Sequence, residues 1–180
     1  MTLSGKIVSQ RSFVDLPTFR FFPYSCRYCV YWESTEDSDE KVEPAKAEEI
    51  KRNWLDEVSR NFGNCAFIAY KDNVSVGYAQ YGPPQFFPRI EQYSSGPPSK
   101  DSAFLACLYV PKREMRRKGI GKYLLELVLS NLEKKGCVAV ETFARRGSEN
   151  NPAGPLEFYL HNGFKIIKEK DDFPLVRRSI

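Results

Sequence analysis

The sequence predicts one mixed α/β (α+β) domain: a mostly antiparallel central sheet, helices on both faces, and one parallel strand pair in the middle. Three observations predict it. Hairpin signals lie at 65–81 and 164–178, a strand–helix–strand unit lies between them, and apolar residues recur at helical spacing in two long stretches. Strands that flank a helix need a crossover and run parallel, whereas hairpin strands run antiparallel. A chain of 180 residues fits a single domain over 1–180, long enough to bury a core without disulfides or metal.

Taken in order, residues 2–9 read as a first strand. Residues 13–32 carry Phe13, Phe19, Phe21, Phe22, Tyr24, Tyr28, Tyr31 and Trp32, interrupted by Pro17 and Pro23. They read as irregular pieces packed on a surface, and 1–43 as a divergent, aromatic-rich N-terminal segment. The acidic run 34–43 reads as an exposed loop. From Pro44 to about Asn61, the positions Ala47, Ile50, Trp54, Val58 and Phe62 give one apolar helical face, closed by Gly63. Strands at 65–71 and 74–81 follow, joined by Asp72-Asn73. The Pro-rich loop 82–100, with Phe86, Phe87 and Tyr93 embedded, is long enough to suggest function. The apolar run 103–110 has the character of a central strand covered on both faces, and Pro111 ends it. Ile120, Leu124, Leu127 and Val128 mark a helix with Lys134 and Lys135 in its last turn and Gly136 as its stop. A buried strand at 137–143, a short helix at 156–161 behind Pro155, and strands at 164–169 and 173–178 complete the chain.

The formal charge of +4 is too small to argue for nucleic acid, and no apolar run approaches the length a bilayer requires. Neither nucleic acid nor membrane is an expected partner. Five cysteines and no recognisable signal peptide point to a reducing cytoplasm. Charge matters where it clusters: Lys112, Arg113, Arg116, Arg117 and Lys118 fall within seven residues, which suits a phosphate-bearing ligand.

That cluster belongs to the sharpest pattern in the chain: strand, basic turn, Gly119-Ile120-Gly121, helix. The first N–H groups of a helix lack partners within it, and with the helix dipole they form an anion site. Glycines at 119 and 121 would let a pyrophosphate approach those amides. A dinucleotide fingerprint would need a third glycine where Leu124 stands, and a P-loop would need Gly-Lys-Ser/Thr, which is absent. The same glycines also suit a plain strand-to-helix turn.

The context of this turn resembles the GNAT N-acyltransferases. Leu108-Tyr109-Val110-Pro111, then Arg116-x-x-Gly119-x-Gly121 and an amphipathic helix, is similar to the family's cofactor motif. Downstream, Phe158-Tyr159 followed by Gly163-Phe164 resembles its second hallmark, and Val76-Gly77-Tyr78 resembles the strands before the motif. The resemblance covers roughly 44–180. It implies a GNAT-type sheet whose parallel strands, 103–110 and 137–143, splay into a V. Acetyl-CoA would be the co-substrate, its pyrophosphate at Arg116, Arg117, Lys118, Gly119, Ile120 and Gly121. Its pantetheine arm would pair with backbone near Leu108 and Val110, and Asn151 stands near the family's cofactor-contacting Asn. The resemblance assigns Tyr159 the role of acid toward the leaving thiolate, and an N–H near Val110 that of oxyanion donor. For the base, the strand 103–110 offers no carboxylate; Glu141 is preferred to Asp101. The acceptor is expected to be a small-molecule or peptide amine, and a homodimer is left open. The alternative is a non-catalytic CoA-binding sensor or interaction module of the same fold.

Other features are discounted. Cys26-x-x-Cys29 lacks the second pair of ligands a zinc site needs, so no metal is expected. His161, the one histidine, stands near a helix C-terminus, where the dipole explains it. The aromatics at 13–32 lack the basic interleaving of a nucleic-acid platform.

Overall fold

The computed structural model describes residues 2–18, 25–35, 42–147 and 153–180. Seven strands form one sheet: β1 Leu3–Ile7, β2 Ala66–Lys71, β3 Val74–Gly82, β4 Ala103–Tyr109, β5 Ala139–Phe143, β6 Lys165–Lys168 and β7 Leu175–Ser179. Their spatial order is β1-β2-β3-β4-β5-β7-β6, with every neighbouring pair antiparallel except β4–β5. This is the mixed sheet the sequence predicts. The last hairpin is folded so that β7, its second strand, lies against β5 and leaves β6 at the edge.

Among the described residues three α-helices cover the sheet: α1 Pro44–Asn61, α2 Ile120–Lys134 and α3 Leu156–His161. Helix α2 buries Ile120, Leu124, Leu125, Val128 and Leu132, one stripe of a 3.6-residue period. With Leu156, Tyr159 and Phe164 these fill one face of the sheet, against Phe67, Ala79, Leu105, Leu108, Val140 and Val176. Burying each such aliphatic side chain is worth roughly 1.5–3 kcal/mol. The opposite face is aromatic and joins Phe13, Trp32, Trp54, Phe87, Phe104 and Phe143.

Helix α1 differs from its sequence reading in one position that matters later. Its buried face is Ala47, Lys51, Trp54, Leu55 and Val58, so Lys51 takes the core position and Ile50 is only half-buried. A lysine goes inside only where an anion meets it. The turn between β2 and β3 has Asp72 and Asn73 both at positive φ, 49° and 63°, the pattern of a two-residue hairpin turn. The segment 82–100 is more ordered than a loop reading suggests. It carries 3-10 turns at Pro84–Phe86 and Pro88–Gln92, and its far end is tied down: the Lys170 N–H donates to the Ser95 hydroxyl at 3.1 Å. Of the N-terminal aromatics, Phe19, Phe21, Phe22 and Tyr24 lie outside the described residues.

Candidate active site

The site begins where two strands part. Strands β4 and β5 pair only at Ala103–Val140 and Phe104–Glu141, and beyond Phe104 strand β4 continues without β5 beside it. A crossover through α2 and a bulge in β4 account for the divergence. Across β3–β4, Gln80 faces Cys107 while the next residue, Tyr81, faces Leu105, so Ala106 is the extra residue. A bulge increases local twist and re-aims side chains. Here it puts both Ala106 and Cys107 on the aromatic face, while Leu105 and Leu108 face α2.

At the far end of β4 the chain turns through Pro111 and a 3-10 turn, Arg113–Met115, into α2. Arg116 stitches this turn. Its Nε donates to the Val110 carbonyl at 2.9 Å, and a terminal nitrogen donates to the Pro111 carbonyl at 3.2 Å and the Tyr109 hydroxyl at 3.4 Å. Its guanidinium therefore works on the loop's own carbonyls. Arg117 follows at φ 59°, then Gly119 at φ 81° as the N-cap of α2. No side chain caps that terminus. The first N–H groups of a helix have no partner within it, so an uncapped terminus leaves donors for an anion.

The two glycines do different things. Gly119 sits in left-handed backbone, which disfavours any other residue, yet a Cβ there would meet nothing within 4 Å. The mouth in front of it is open. At Gly121 the backbone is ordinary, but a Cβ would lie 3.5 Å from the Phe158 ring and 3.6 Å from Leu108, filling the space between β4 and α3. Gly121 keeps that passage clear.

The passage is a groove of about 560 Å³ that runs from the α2 mouth along the parted edge of β4. Leu108, Tyr109 and Val110 form one wall, and Gly154, Pro155 and Phe158 form the other. Arg116, Arg117, Gly119 and Gly121 line it, with Lys122 at the rim. Lys118 is exposed beside the mouth, and the Ile120 side chain is buried beneath it. Sequence reading missed Lys122, Gly154 and Glu157 as lining residues. An N1–N3 count along α2 would have flagged Lys122, whereas Gly154 and Glu157 reach the groove only because α3 packs there. Asn151, with Asn150, lies outside the described residues.

Tyr159 is fully buried, edge-on to Phe158 at 5.2 Å and Phe164 at 5.1 Å between ring centres. Among the described residues its hydroxyl has no hydrogen-bond partner of ordinary geometry. A Cβ on Gly154 would come within 3.2 Å of that oxygen, so the phenol packs against Gly154, which lines the groove. Burial pushes the phenol well above its usual value; the neighbouring Thr142 hydroxyl pulls the other way without a bond short and straight enough to count as one. An orphaned buried hydroxyl costs about 1–3 kcal/mol, and here it adjoins the passage. Together with the open cradle at Gly121, it fits a slender polar arm threaded through the groove.

Glu141 takes a different place from the one expected of a base. It is fully buried on the aromatic face, one oxygen accepting from Arg177 at 2.6 Å and the other from the Ser99 N–H at 2.7 Å. Arg177 also holds Asp101 in a two-pronged contact at 3.0 and 3.1 Å, and that pairing lowers the Asp101 carboxyl. Arg177 holds both carboxylates, and together they brace 99–102 against β5 and β7. The physical reason is the register: β5–β7 pairing sets Arg177 directly opposite Glu141. His161 is exposed, its Nδ1 donating to the Glu157 carbonyl at 2.7 Å, as a histidine in the last turn of a helix does. Cys26 is buried, and burial, against the opposing pull of Lys51 and its own backbone N–H, pushes its thiol up to about 12. Among the described residues, no helix is long and apolar enough to cross a membrane.

Comparison with known proteins agrees with this geometry. The sequence profile of the acetyltransferase (GNAT) family matches residues 27–164. No curated protein matches the chain by sequence. Among solved structures, the PaiA N-acetyltransferase from Thermoplasma acidophilum in complex with coenzyme A superposes with a TM-score of 0.64 at 17% identity, over 100% of both chains. A ribosomal-protein-alanine N-acetyltransferase from Brucella melitensis gives 0.62 at 18% identity, over 98% of this chain and 99% of its own. At such identities the likeness is one of fold.

Proposed function

From the chain's membership of the GNAT acetyltransferase family, we propose that it transfers an acetyl group from acetyl-CoA to a primary amine by direct attack within a ternary complex. The observation that carries this reading is the groove that leads from an uncapped helix mouth along the unpaired edge of β4. The mouth supplies amides and basic side chains for a diphosphate, and the β4 edge can pair with the amides of a pantetheine arm as a strand would. In the reaction the amine nitrogen bonds to the thioester carbonyl carbon, the carbon–sulfur bond breaks, and one amine proton leaves to solvent. A backbone N–H near Val110 meets the oxyanion. Tyr159, kept protonated by its burial, is the acid for the departing thiolate, reached past Gly154. The acceptor belongs to the small-molecule or peptide amines and the reaction to the cytoplasm.

Calorimetry with acetyl-CoA and thiol release over a panel of primary amines test the proposal together. Binding with amine-dependent thiol release supports it. The occupied oxygens of Glu141 favour a second reading, a CoA-binding sensor without turnover, and binding with no release from any amine would select it.

A further inference from the structure

The aromatic face encloses a polar cluster that lies apart from the groove. Beneath β3 four side chains form a closed knot: Lys51 from α1, Glu33 from the N-terminal segment, and Tyr78 and Gln80 from β3. The Lys51 ammonium donates to Glu33 Oε1 at 2.7 Å, to the Cys29 carbonyl at 2.6 Å and to Gln80 Oε1 at 3.2 Å, which uses all three of its protons. The Gln80 amide also donates to Glu33 Oε1 at 2.9 Å, and the Tyr78 hydroxyl to Gln80 Oε1 at 2.9 Å. The Lys51 and Glu33 side chains are 4% and 1% exposed. Burial works against the Lys51 charge, but Glu33, Cys29 and Cys107 together outweigh it and the ammonium is held more firmly than in water.

The knot is unevenly satisfied. Both donors to Glu33 converge on Oε1, and no donor among the described residues reaches Oε2. Oε2 is not one of the fully buried oxygens left without a partner, so the 1% of the side chain that stays accessible includes it, and a donor can reach it there. Its place in the fold says what the missing donor could be. Gln80 lies opposite Cys107, three residues beyond the last β4–β5 pair at Phe104, and Tyr78 lies opposite Tyr109, which lines the groove. The knot therefore sits under the open stretch of β4, on the sheet face away from α2. With the co-substrate in the groove beside α2, as proposed above, that other face is the one left to the acceptor.

Resting on the transferase reading above, we propose that Glu33 is the acceptor-binding carboxylate: its Oε2 takes an N–H of the incoming amine and aims the nitrogen at the parted strands. Lys51 and Gln80 fix the carboxylate by its other oxygen. The aromatic surroundings, Trp32 and Tyr109 among them, suit an amine whose adjoining atoms are apolar.

The test uses three proteins, wild type, E33Q and E33Q/K51M, with acetyl-CoA and a panel of alkyl- and arylalkylamines read by thiol release. E33Q alone strands the Lys51 charge in the core and can fail to fold. The double variant replaces the ion pair with a neutral pair of similar size and keeps the fold testable. The expected result is a double variant that melts cooperatively and binds acetyl-CoA as wild type does, but loses about 10- to 100-fold in kcat/KM for the amine, as loss of a hydrogen bond to a charged group implies. Amine turnover at the wild-type level in the folded double variant overturns the proposal, because the knot is then only structural. If wild type itself turns over no amine, the transferase reading fails and the assignment of Glu33 falls with it, an outcome visible before any variant is measured.

Discussion

A substitution at Gly119 separates the two demands made on the α2 mouth. At φ 81° and ψ −5° this residue sits in left-handed backbone, and a Cβ there would touch nothing. Gly119→Ala therefore adds strain and no clash, costing about 1–2 kcal/mol. In a chain of this length that lowers Tm by roughly 2–8 °C. Gly119→Glu carries the same backbone cost and adds a carboxylate at the edge of an open anion site. At about 4–6 Å from a diphosphate, with an effective dielectric constant near 20, the repulsion is on the order of 3–4 kcal/mol per unit charge, and mobility and salt reduce it. Acetyl-CoA affinity, measured by calorimetry, should stay within a few-fold of wild type in Gly119→Ala and fall by roughly 30- to 1,000-fold in Gly119→Glu. The gap should narrow as ionic strength rises. Equal affinity in the two variants at low salt would falsify the placement of the diphosphate at this helix mouth.

Three further outcomes follow from the geometry. Tyr159→Phe removes an unpartnered buried hydroxyl, so Tm should hold or rise while turnover drops and acetyl-CoA affinity does not; a lower Tm would mean that the hydroxyl has a partner after all. Glu141→Gln breaks the contact with Arg177 and should cost about 1–3 kcal/mol in denaturant unfolding. Its kcat/KM should keep the wild-type dependence on pH, and loss of the acid-side limb of that profile in a stable variant would restore Glu141 as the base. The Cys26 thiol, pushed up to about 12, should resist alkylation at pH 8 in the folded protein and react once the chain is denatured. Because the folded thiol holds its proton more tightly than the unfolded one, its contribution to stability is present below about pH 9 and declines from there toward pH 12.

Most of the fold could be read before any coordinates because its signals are local. The apolar period of α2 and the stop at Gly136 depend on neighbours a few residues away, and the expected boundaries fall within two or three residues of those observed. The α2 mouth was legible for the same reason: strand, basic turn and glycines are contiguous. Helix α1 shows where such reading fails. By hydrophobicity Ile50 belongs inside and Lys51 outside, yet Lys51 is buried and Ile50 only half-buried, because Glu33, 18 residues earlier, lies against Lys51. Glu33 itself, next to an acidic run, gave no local sign of being buried.

The sequence by itself determined the order of elements, the hairpins, the helix mouth and the resemblance to an acyltransferase family, since each rests on spacing along the chain. Only the tertiary structure decided what long-range register and packing control. It showed that β4 and β5 touch at two positions before parting, that Arg116 holds its own loop, that Arg177 pairs with Glu141, and that Tyr159 is buried against Gly154. A side chain's chemical freedom depends on which groups fold against it, and those groups come from segments far apart in the chain.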